Sequence, residues 1–503
     1  MIIVVLNEDK YAYDIHSLVK AFYPQQEVKV FVEGTKELRS DPGLPAFFVR
    51  FEKEAIRVKA WQETESQEKT EPEADREQKD GRQLLWEEQI SLSCPQDRIA
   101  VKNELKRLLY RMLSELTQKE LPWGALTGIR PVKMAMQLLE QGRTEEQIRR
   151  FMQEAYLVSE QKAALSTEIA RRERRILSDI HYENGYSLYV GIPFCPTTCL
   201  YCSFTSFPIS AWKKRVSEYL DALETELDFV REAFSHKILD SVYIGGGTPT
   251  TLEPEELDRL LSAICGKLNL TDTLEFTVEA GRADSITREK LRVLKKYGVG
   301  RISVNPQTMN QRTLDLIGRR HTVEQVREAF LLAREEGFDN INMDLILGLP
   351  GEGIEEVSHT MEQVRALGPD NLTVHSLAVK RASRLNQWIL ENGQADMNNT
   401  DATMALAEKT ARGMGMSPYY LYRQKNMSGN FENVGYAEPG KAGIYNILIM
   451  EEKEDIVALG AGVISKRVYP DGRIERCDSV KEVAQYIERI EEMLERKRVL
   501  FRD

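Results

Sequence analysis

Between residues 187 and 376 short runs of β-branched and other apolar residues alternate with longer stretches whose apolar positions recur at helical spacing. The short runs predict strands at 188–192, 241–244, 274–278, 300–304, 340–346 and 371–376, and the stretches between them predict helices at 211–233, 255–268, 287–297, 323–336 and 354–367. Repeated strand, helix, strand units require a parallel sheet with right-handed crossovers, either doubly wound or closed into a barrel. Six units fall short of an eight-fold barrel. In such sheets the reacting groups gather at the carboxyl ends of the strands, so the residues just after each strand carry the functional signal.

The flanking regions read differently. The opening residues Met1 to Leu6 and the alternation Phe47, Val49, Phe51 predict strands, and helical periodicity follows at 99–116, 131–139 and 145–156. Residues 62–83 are nearly all charged or polar and predict an exposed, mobile excursion ahead of Leu84, Leu85 and Trp86. After about residue 390 the alternation stops; a helix is expected at 401–413, a strand at 445–450, an apolar run at 456–464 and a closing helix at 480–496. The expected organisation is a mixed α+β N-terminal domain at 1–180, an α/β domain at 181–395 and a small α+β domain at 396–503.

Composition narrows the function classes. With 42% hydrophobic and 29% charged residues in 503, the chain is an ordinary globular protein and not a disordered one. The 68 basic residues against 79 acidic ones leave a net charge of −11, which argues against a nucleic-acid partner. No apolar run is long enough to span a bilayer, and a cytoplasmic location is expected. The 6 cysteines are too sparse for a disulfide scaffold. Three of them nevertheless fall in one loop directly after the first strand of the repeat: Gly191-Ile-Pro-Phe-Cys195-Pro-Thr-Thr-Cys199-Leu-Tyr-Cys202.

Three thiolates on one loop can each bind a separate iron of a 4Fe–4S cubane, leaving the fourth iron open to chelation by the amino and carboxylate groups of an amino acid. The same residues admit a zinc site completed by Cys94, Cys265 or a histidine, or three buried structural thiols. After the second strand comes Gly245-Gly246-Gly247-Thr248-Pro249-Thr250, where glycines let backbone groups approach a ligand; a tight turn would use them equally. Asp344 lies inside an apolar strand, a costly place for a carboxylate unless it is paired.

Cys195-x-x-x-Cys199-x-x-Cys202, with Tyr201 before the last cysteine and Tyr189 in the preceding strand, resembles the radical S-adenosylmethionine (SAM) superfamily. Within it the chain is most similar to the oxygen-independent coproporphyrinogen III oxidase group, nearest to the HemZ type, over residues 185–470. The resemblance implies a partial (β/α)6 barrel, a 4Fe–4S cluster held by Cys195, Cys199 and Cys202, and SAM as cofactor. It places Tyr189, Tyr201, Gly246, Gly247 and Thr248 beside SAM, and carries over Glu279 and Gln307 as a facing carboxylate and amide. Arg319 is implied as a carboxylate-binding guanidinium, Asp344 as acceptor for ribose hydroxyls, and Ala378 as the small residue beside the adenine.

Two positions depart from the best-known oxidases, which have a histidine where this chain has Gly191 and a fourth cysteine where it has Phe204; the Cys-x-Phe ending resembles the haem-chaperone branch. Lys380, Arg381 and Arg384 stand where an acidic turn is usual and are candidate ligands for substrate carboxylates, with a solvated basic turn as the alternative. Trp123 to Pro131 resembles a signature in front of HemZ-type barrels, or a helix-entry loop with Pro131 in the first turn. Tyr422-Arg423-Gln424, Asn430-Phe431, Tyr445-Asn446 and Leu459-Gly460-Ala461-Gly462 resemble the family's carboxyl-terminal cover, with Gly460 and Gly462 suited to a flat ligand or to a tight turn.

The implied activity is anaerobic: an electron from a donor protein such as flavodoxin or ferredoxin cleaves SAM to methionine and a 5′-deoxyadenosyl radical. That radical starts the oxidative decarboxylation of two coproporphyrinogen III propionates to vinyl groups, giving protoporphyrinogen IX. The alternatives are a haem-binding chaperone of the HemW type and a radical enzyme that modifies haem.

Overall fold

The computed structural model describes residues 1–34, 40–63, 82–128, 130–380, 383–392, 399–424 and 427–502. Most of the charged stretch expected to be a mobile excursion therefore lies outside the described residues. The chain divides into two compact units, residues 1–131 with 137–167 and residues 132–136 with 168–503.

In the first unit, strands β1 (Ile2–Leu6), β2 (Val28–Val32), β3 (Pro45–Phe51), β4 (Ala55–Glu63) and β5 (Arg82–Ser91) form one sheet in the order β2-β1-β3-β4-β5. β1 runs parallel to β2 and β3; β3, β4 and β5 are successive antiparallel neighbours. The helix Ala12–Phe22 makes the crossover from β1 to β2 and buries Ile15, Leu18, Val19 and Phe22 against Ile2, Val4 and Leu6. The sequence reading passed over this helix. Helix Arg98–Thr117 adds Leu105, Leu108, Leu109 and Met112 to the same core. Helix Glu145–Tyr156, opened by a Thr144/Gln147 capping box, forms where the periodicity places it, as does Pro131–Glu140, whose residues 132–136 belong to the second unit.

The second unit is organised by one eleven-stranded sheet. Its centre is β6 (Gly185–Ile192), β9 (Ile238–Gly246), β10 (Glu275–Glu279), β11 (Arg301–Ser303), β12 (Ile341–Leu347) and β13 (Asn371–Ser376), all parallel and in unbroken sequence order. The two-residue strands β7 (Phe194–Cys195) and β8 (Phe207–Pro208) pair with each other beside β6. Helices Val216–Ala233, Pro254–Lys267, Arg288–Lys296, Val323–Glu335 and Ile354–Leu367 make the crossovers. Their starts are set locally: Thr287 and Thr322 accept backbone N–H groups as N-caps, and Glu253 pairs with Glu256 in a capping box ahead of Pro254. Because the strand order never reverses, right-handed crossovers put every helix on one face of the sheet, which curls the other face inward as a partial (β/α)6 barrel.

The carboxyl-terminal residues extend both edges of this sheet. β14 (Ser417–Tyr422) and β15 (Asn433–Ala437) add antiparallel beyond β13; β16 (Asp455–Leu459) lies parallel to β6 and is followed by β17 (Ile464–Val468) and β18 (Ile474–Asp478). Two local expectations are corrected. The strand expected at 445–450 is a helix, Ile444–Glu451; an apolar run of that length has no period that separates a buried strand from a buried helix, and Gly443 and the left-handed Glu452 supply the helix ends. The closing helix is two, Val483–Glu488 and Ile490–Leu500.

Candidate active site

Side chains alternate across each barrel strand. Leu188, Val190, Val242, Ile244, Phe276, Val278, Ile302, Met343, Leu345, Leu372 and Val374 pack on the outer, helix-covered face. The inner face is polar: Ser187 and Tyr189 on β6, Ser241 and Tyr243 on β9, Glu275, Thr277 and Glu279 on β10, Arg301 and Ser303 on β11, Asp344 on β12, Thr373 and His375 on β13. The rings of Tyr189, Tyr243 and Tyr445 stack inside it, with centroids 6.0, 4.6 and 5.8 Å apart. Tyr445 comes from the helix misread as a strand. The Ile444 N–H at the start of that helix donates to Glu275, so the positive end of the helix faces a buried carboxylate.

The cysteine loop leaves the carboxyl end of β6 and is fastened by backbone hydrogen bonds to the turn after β9 and to the end of helix Gln311–Leu316: Gly247 N–H to Ile192 O at 2.8 Å, Thr248 N–H to Phe194 O at 2.7 Å and Leu200 N–H to Ile317 O at 2.9 Å. All three cysteines are free thiols. Cys195 Sγ meets Thr248 Oγ1 at 3.5 Å, Cys202 Sγ meets Ser206 Oγ at 3.9 Å, and Arg282 Nη1 lies 3.8 Å from Cys199 Sγ. Burial, helped by the neighbouring thiols, pushes the Cys195 thiol up to about 11 despite its bond to Thr248, and burial raises Cys202 as well. Such thiols bind as thiolates only where positive charge offsets them. Among the described residues no three His, Cys, Asp or Glu side chains converge on one point; a cubane, with one thiolate on each of three irons, asks for no such convergence.

The glycine turn after β9 is shaped by close approach. A Cβ on Gly247 would stand 2.5 Å from Phe194 O and 2.9 Å from Ile192 O. Glu279, at the end of β10, accepts from Tyr243 Oη at 2.5 Å, and burial together with the nearby Asp344 raises its carboxyl to about 7. Gln307 has a left-handed backbone, φ 69°, held by Gln307 N–H to Asp344 O and Ile346 N–H to Gln307 O, both 2.9 Å. A non-glycine residue in that region costs about 1–2 kcal/mol, so the surrounding structure imposes it.

Arg319 is 6% exposed and donates to Asn305 O. Burial works against its charge, but Tyr201 and Cys199 outweigh that and raise its pKa. Asp344 accepts from Asn342 Nδ2 at 2.7 Å and lies 3.9 Å from His375 Nε2. Burial pushes its carboxyl up; the His375, Asn342 and Thr373 contacts more than reverse this, so it titrates below the ordinary range. Ala378 is half-buried at the end of β13, bridged to Met427. At the same edge Lys380 Nζ sits 5.8 Å from the centre of the Phe204 ring and the exposed Arg384 opens a helix that buries Leu385; Arg381 lies outside the described residues. Gly460 and Gly462 serve the protein's own packing: a Cβ at 460 would meet Gly191 O and Tyr219 Oη at 2.6 Å, and one at 462 would meet Thr205 at 2.8 Å. Arg282, Tyr243 and His375 were not singled out in the sequence. Polar residues at alternate positions of apolar strands were the signal for Tyr243 and His375; nothing local marks Arg282.

The profile of the radical SAM superfamily matches residues 189–364. The oxygen-independent coproporphyrinogen-III oxidase-like protein HemZ of Bacillus subtilis is 41% identical over 402 residues, 79% of this chain and 80% of that protein. The chain belongs to the radical SAM superfamily, in the HemN/HemZ-type group. The haem chaperone HemW of Lactococcus lactis is 32% identical over 277 residues, 55% of this chain and 68% of HemW. The oxygen-independent coproporphyrinogen III oxidase of Salmonella typhimurium is 26% identical over 310 residues, 62% of this chain and 66% of that enzyme. The cofactors of this radical SAM protein are a 4Fe–4S cluster and SAM, and its function is haem-related. Three unpaired thiols at one strand end, with guanidinium groups at Cys199, suit the cluster. Among the described residues no helix is long and apolar enough to cross a membrane.

Proposed function

We propose that this chain is a radical SAM decarboxylase of porphyrinogen propionates, converting two propionates of coproporphyrinogen III to vinyl groups. The observation that carries the reading is the inner face of the barrel. Tyrosine hydroxyls, Arg301 and His375 on that face can donate hydrogen bonds to the carboxylates of a flexible tetrapyrrole, while Glu279 and Asp344 serve SAM.

Cys195, Cys199 and Cys202 hold the cluster. The bound cofactors supply the reductive cleavage of SAM, which yields methionine and a 5′-deoxyadenosyl radical. The protein's residues position and exclude. Gly246, Gly247 and Thr248 present the backbone to the amino acid end of SAM, Glu279 accepts its ammonium, and Arg319 binds its carboxylate. Gln307 and Tyr201 close that side, Asp344 accepts the ribose hydroxyls, and Tyr189 and Ala378 bound the nucleoside. Lys380 and Arg384 hold substrate carboxylates at the barrel mouth. The stacked Tyr189, Tyr243 and Tyr445 fill the interior, keeping water from the reacting carbon.

A second reading has its own support. Phe204 is 71% exposed at the end of the cysteine loop, an apolar ring placed where a haem face could rest, and the HemW similarity covers two thirds of that chaperone. The two separate in one experiment: anaerobically reconstituted protein is given SAM, a low-potential reductant and either coproporphyrinogen III or haem, and products are resolved by chromatography. Harderoporphyrinogen and protoporphyrinogen formed together with 5′-deoxyadenosine support the decarboxylase. Tight haem binding without vinyl products supports the chaperone.

A further inference from the structure

Arg282 follows β10 by three residues and is 2% exposed. Its Nε and Nη2 donate to the two oxygens of Asp284 at 2.9 and 2.7 Å, while Nη1 donates to Thr197 Oγ1 at 2.9 Å and Thr197 O at 3.2 Å and lies 3.8 Å from Cys199 Sγ. Thr197 Oγ1 in turn donates to Gly318 O at 3.2 Å. One planar group thus ties the middle of the cysteine loop to β10 on one side and, through Thr197, to the turn carrying Arg319 on the other. Nδ1 of the wholly buried His321 lies 3.7 Å from Asp284, too far for a hydrogen bond, and the Asp284 carboxyl is held well below the ordinary range, burial being outweighed by His321 and Arg282.

We propose that Arg282 is a positioning residue for the cluster: it holds the Cys199 segment in place and makes the cluster easier to reduce. Asp284 compensates the buried cation and a neutral amide would satisfy the Thr197 contacts, so what these partners leave unexplained is the placement of Nη1 against Cys199 Sγ. What the guanidinium adds is a fixed positive charge beside a sulfur that is anionic when it binds iron. An electron added to the cluster is stabilised by that charge, because the site is shielded from water. Asp284, bound along a different edge of the same guanidinium, offsets part of this effect while orienting the group. Arg282 and Asp284 therefore form a tuned pair, and their removal shifts the cluster in opposite directions.

The inference rests on the three cysteines holding the cluster, and the test separates the two claims. Full-length protein is reconstituted anaerobically with iron and sulfide, and the cluster is titrated with redox mediators while reduction is followed by electron paramagnetic resonance. For R282Q the one-electron reduction equilibrium falls at least tenfold, a 59 mV drop in midpoint. R282K, which keeps the charge, lies between it and the unsubstituted protein; D284N, which frees the charge, has a higher midpoint than the unsubstituted protein. A merely structural role has no reason to give shifts of opposite sign. Should R282Q take up no cluster, R282K and D284N decide, and D284N alone decides if R282K also stays empty. An R282Q cluster with an unchanged midpoint, or a D284N midpoint at or below the starting value, overturns the proposal. An unsubstituted protein that takes up no cluster fails the earlier reading instead.

Discussion

Gly247→Ala asks whether the glycine turn and the cysteine loop are one unit. The added methyl would lie 2.5 Å from Phe194 O and 2.9 Å from Ile192 O, and both are backbone atoms that cannot rotate away. To reach ordinary contact near 3.5 Å the Phe194 carbonyl must recede by about 1 Å. Those two carbonyls accept from Thr248 N–H and Gly247 N–H, so the movement breaks or stretches both bonds. At about 1 kcal/mol each, with residual crowding added, the substitution costs about 2–3 kcal/mol, or about 5 °C in the unfolding midpoint of a unit this large. Phe194 directly precedes Cys195, so the same movement displaces a thiol and lowers cluster loading. Thermal unfolding of the cluster-free protein measures the first effect, and iron and sulfide content after reconstitution the second. Gly266→Ala is the control: in helix Pro254–Lys267 its Cβ would meet nothing within 4 Å, so it should stabilise by about 0.5–1 kcal/mol. A Gly247→Ala protein with an unchanged midpoint and a full cluster would refute the reasoning.

Four further outcomes follow from the site. Glu279 is protonated below about pH 7 and cannot pair with an ammonium there, so SAM affinity measured by equilibrium dialysis should strengthen as pH rises from 6 to 8, and Glu279→Gln should remove that dependence. The same raised pKa means that without ligand folding loses stability between the ordinary carboxyl range and pH 7, which a pH series of denaturation midpoints checks for Glu279→Gln against the unsubstituted chain. Gln307→Gly should keep or gain up to about 1 kcal/mol of stability by relieving the left-handed backbone while losing SAM affinity; Gln307→Ala should lose the affinity without that gain, read by thermal unfolding and dialysis together. Lys380→Ala with Arg384→Ala should raise KM for the tetrapyrrole about tenfold with little change in kcat, and an unchanged KM would remove both from the substrate site.

The barrel was legible because its pattern is redundant. Each parallel strand is a short apolar run and each helix an amphipathic one, so 371–376 and 354–367 match the observed Asn371–Ser376 and Ile354–Leu367 end to end. Helix Ala12–Phe22 was missed because Tyr13 and His16 blur its stripe, and helix Ile444–Glu451 because its nearly unbroken apolar run carries no period. Glu279 closes a strand and Asp344 interrupts an apolar one, whereas Gln307 and Arg319 were marked by the family resemblance rather than by strand position. Tyr243 is marked locally only by its alternate position in an apolar strand, its partner Glu279 appearing once β9 is laid beside β10, and Arg282 is recognisable only once a loop distant in sequence brings Cys199 to it.

The central claim is that radical formation here is spent on propionate carboxyl groups. The most direct measurement follows 5′-deoxyadenosine and labelled carbon dioxide together, using coproporphyrinogen III labelled at the propionate carboxyls with the reconstituted protein and a low-potential reductant under strict anaerobiosis. The account predicts that the two appear in equal amounts, and that both vanish in Cys199→Ala. Deoxyadenosine formed without labelled carbon dioxide would contradict it.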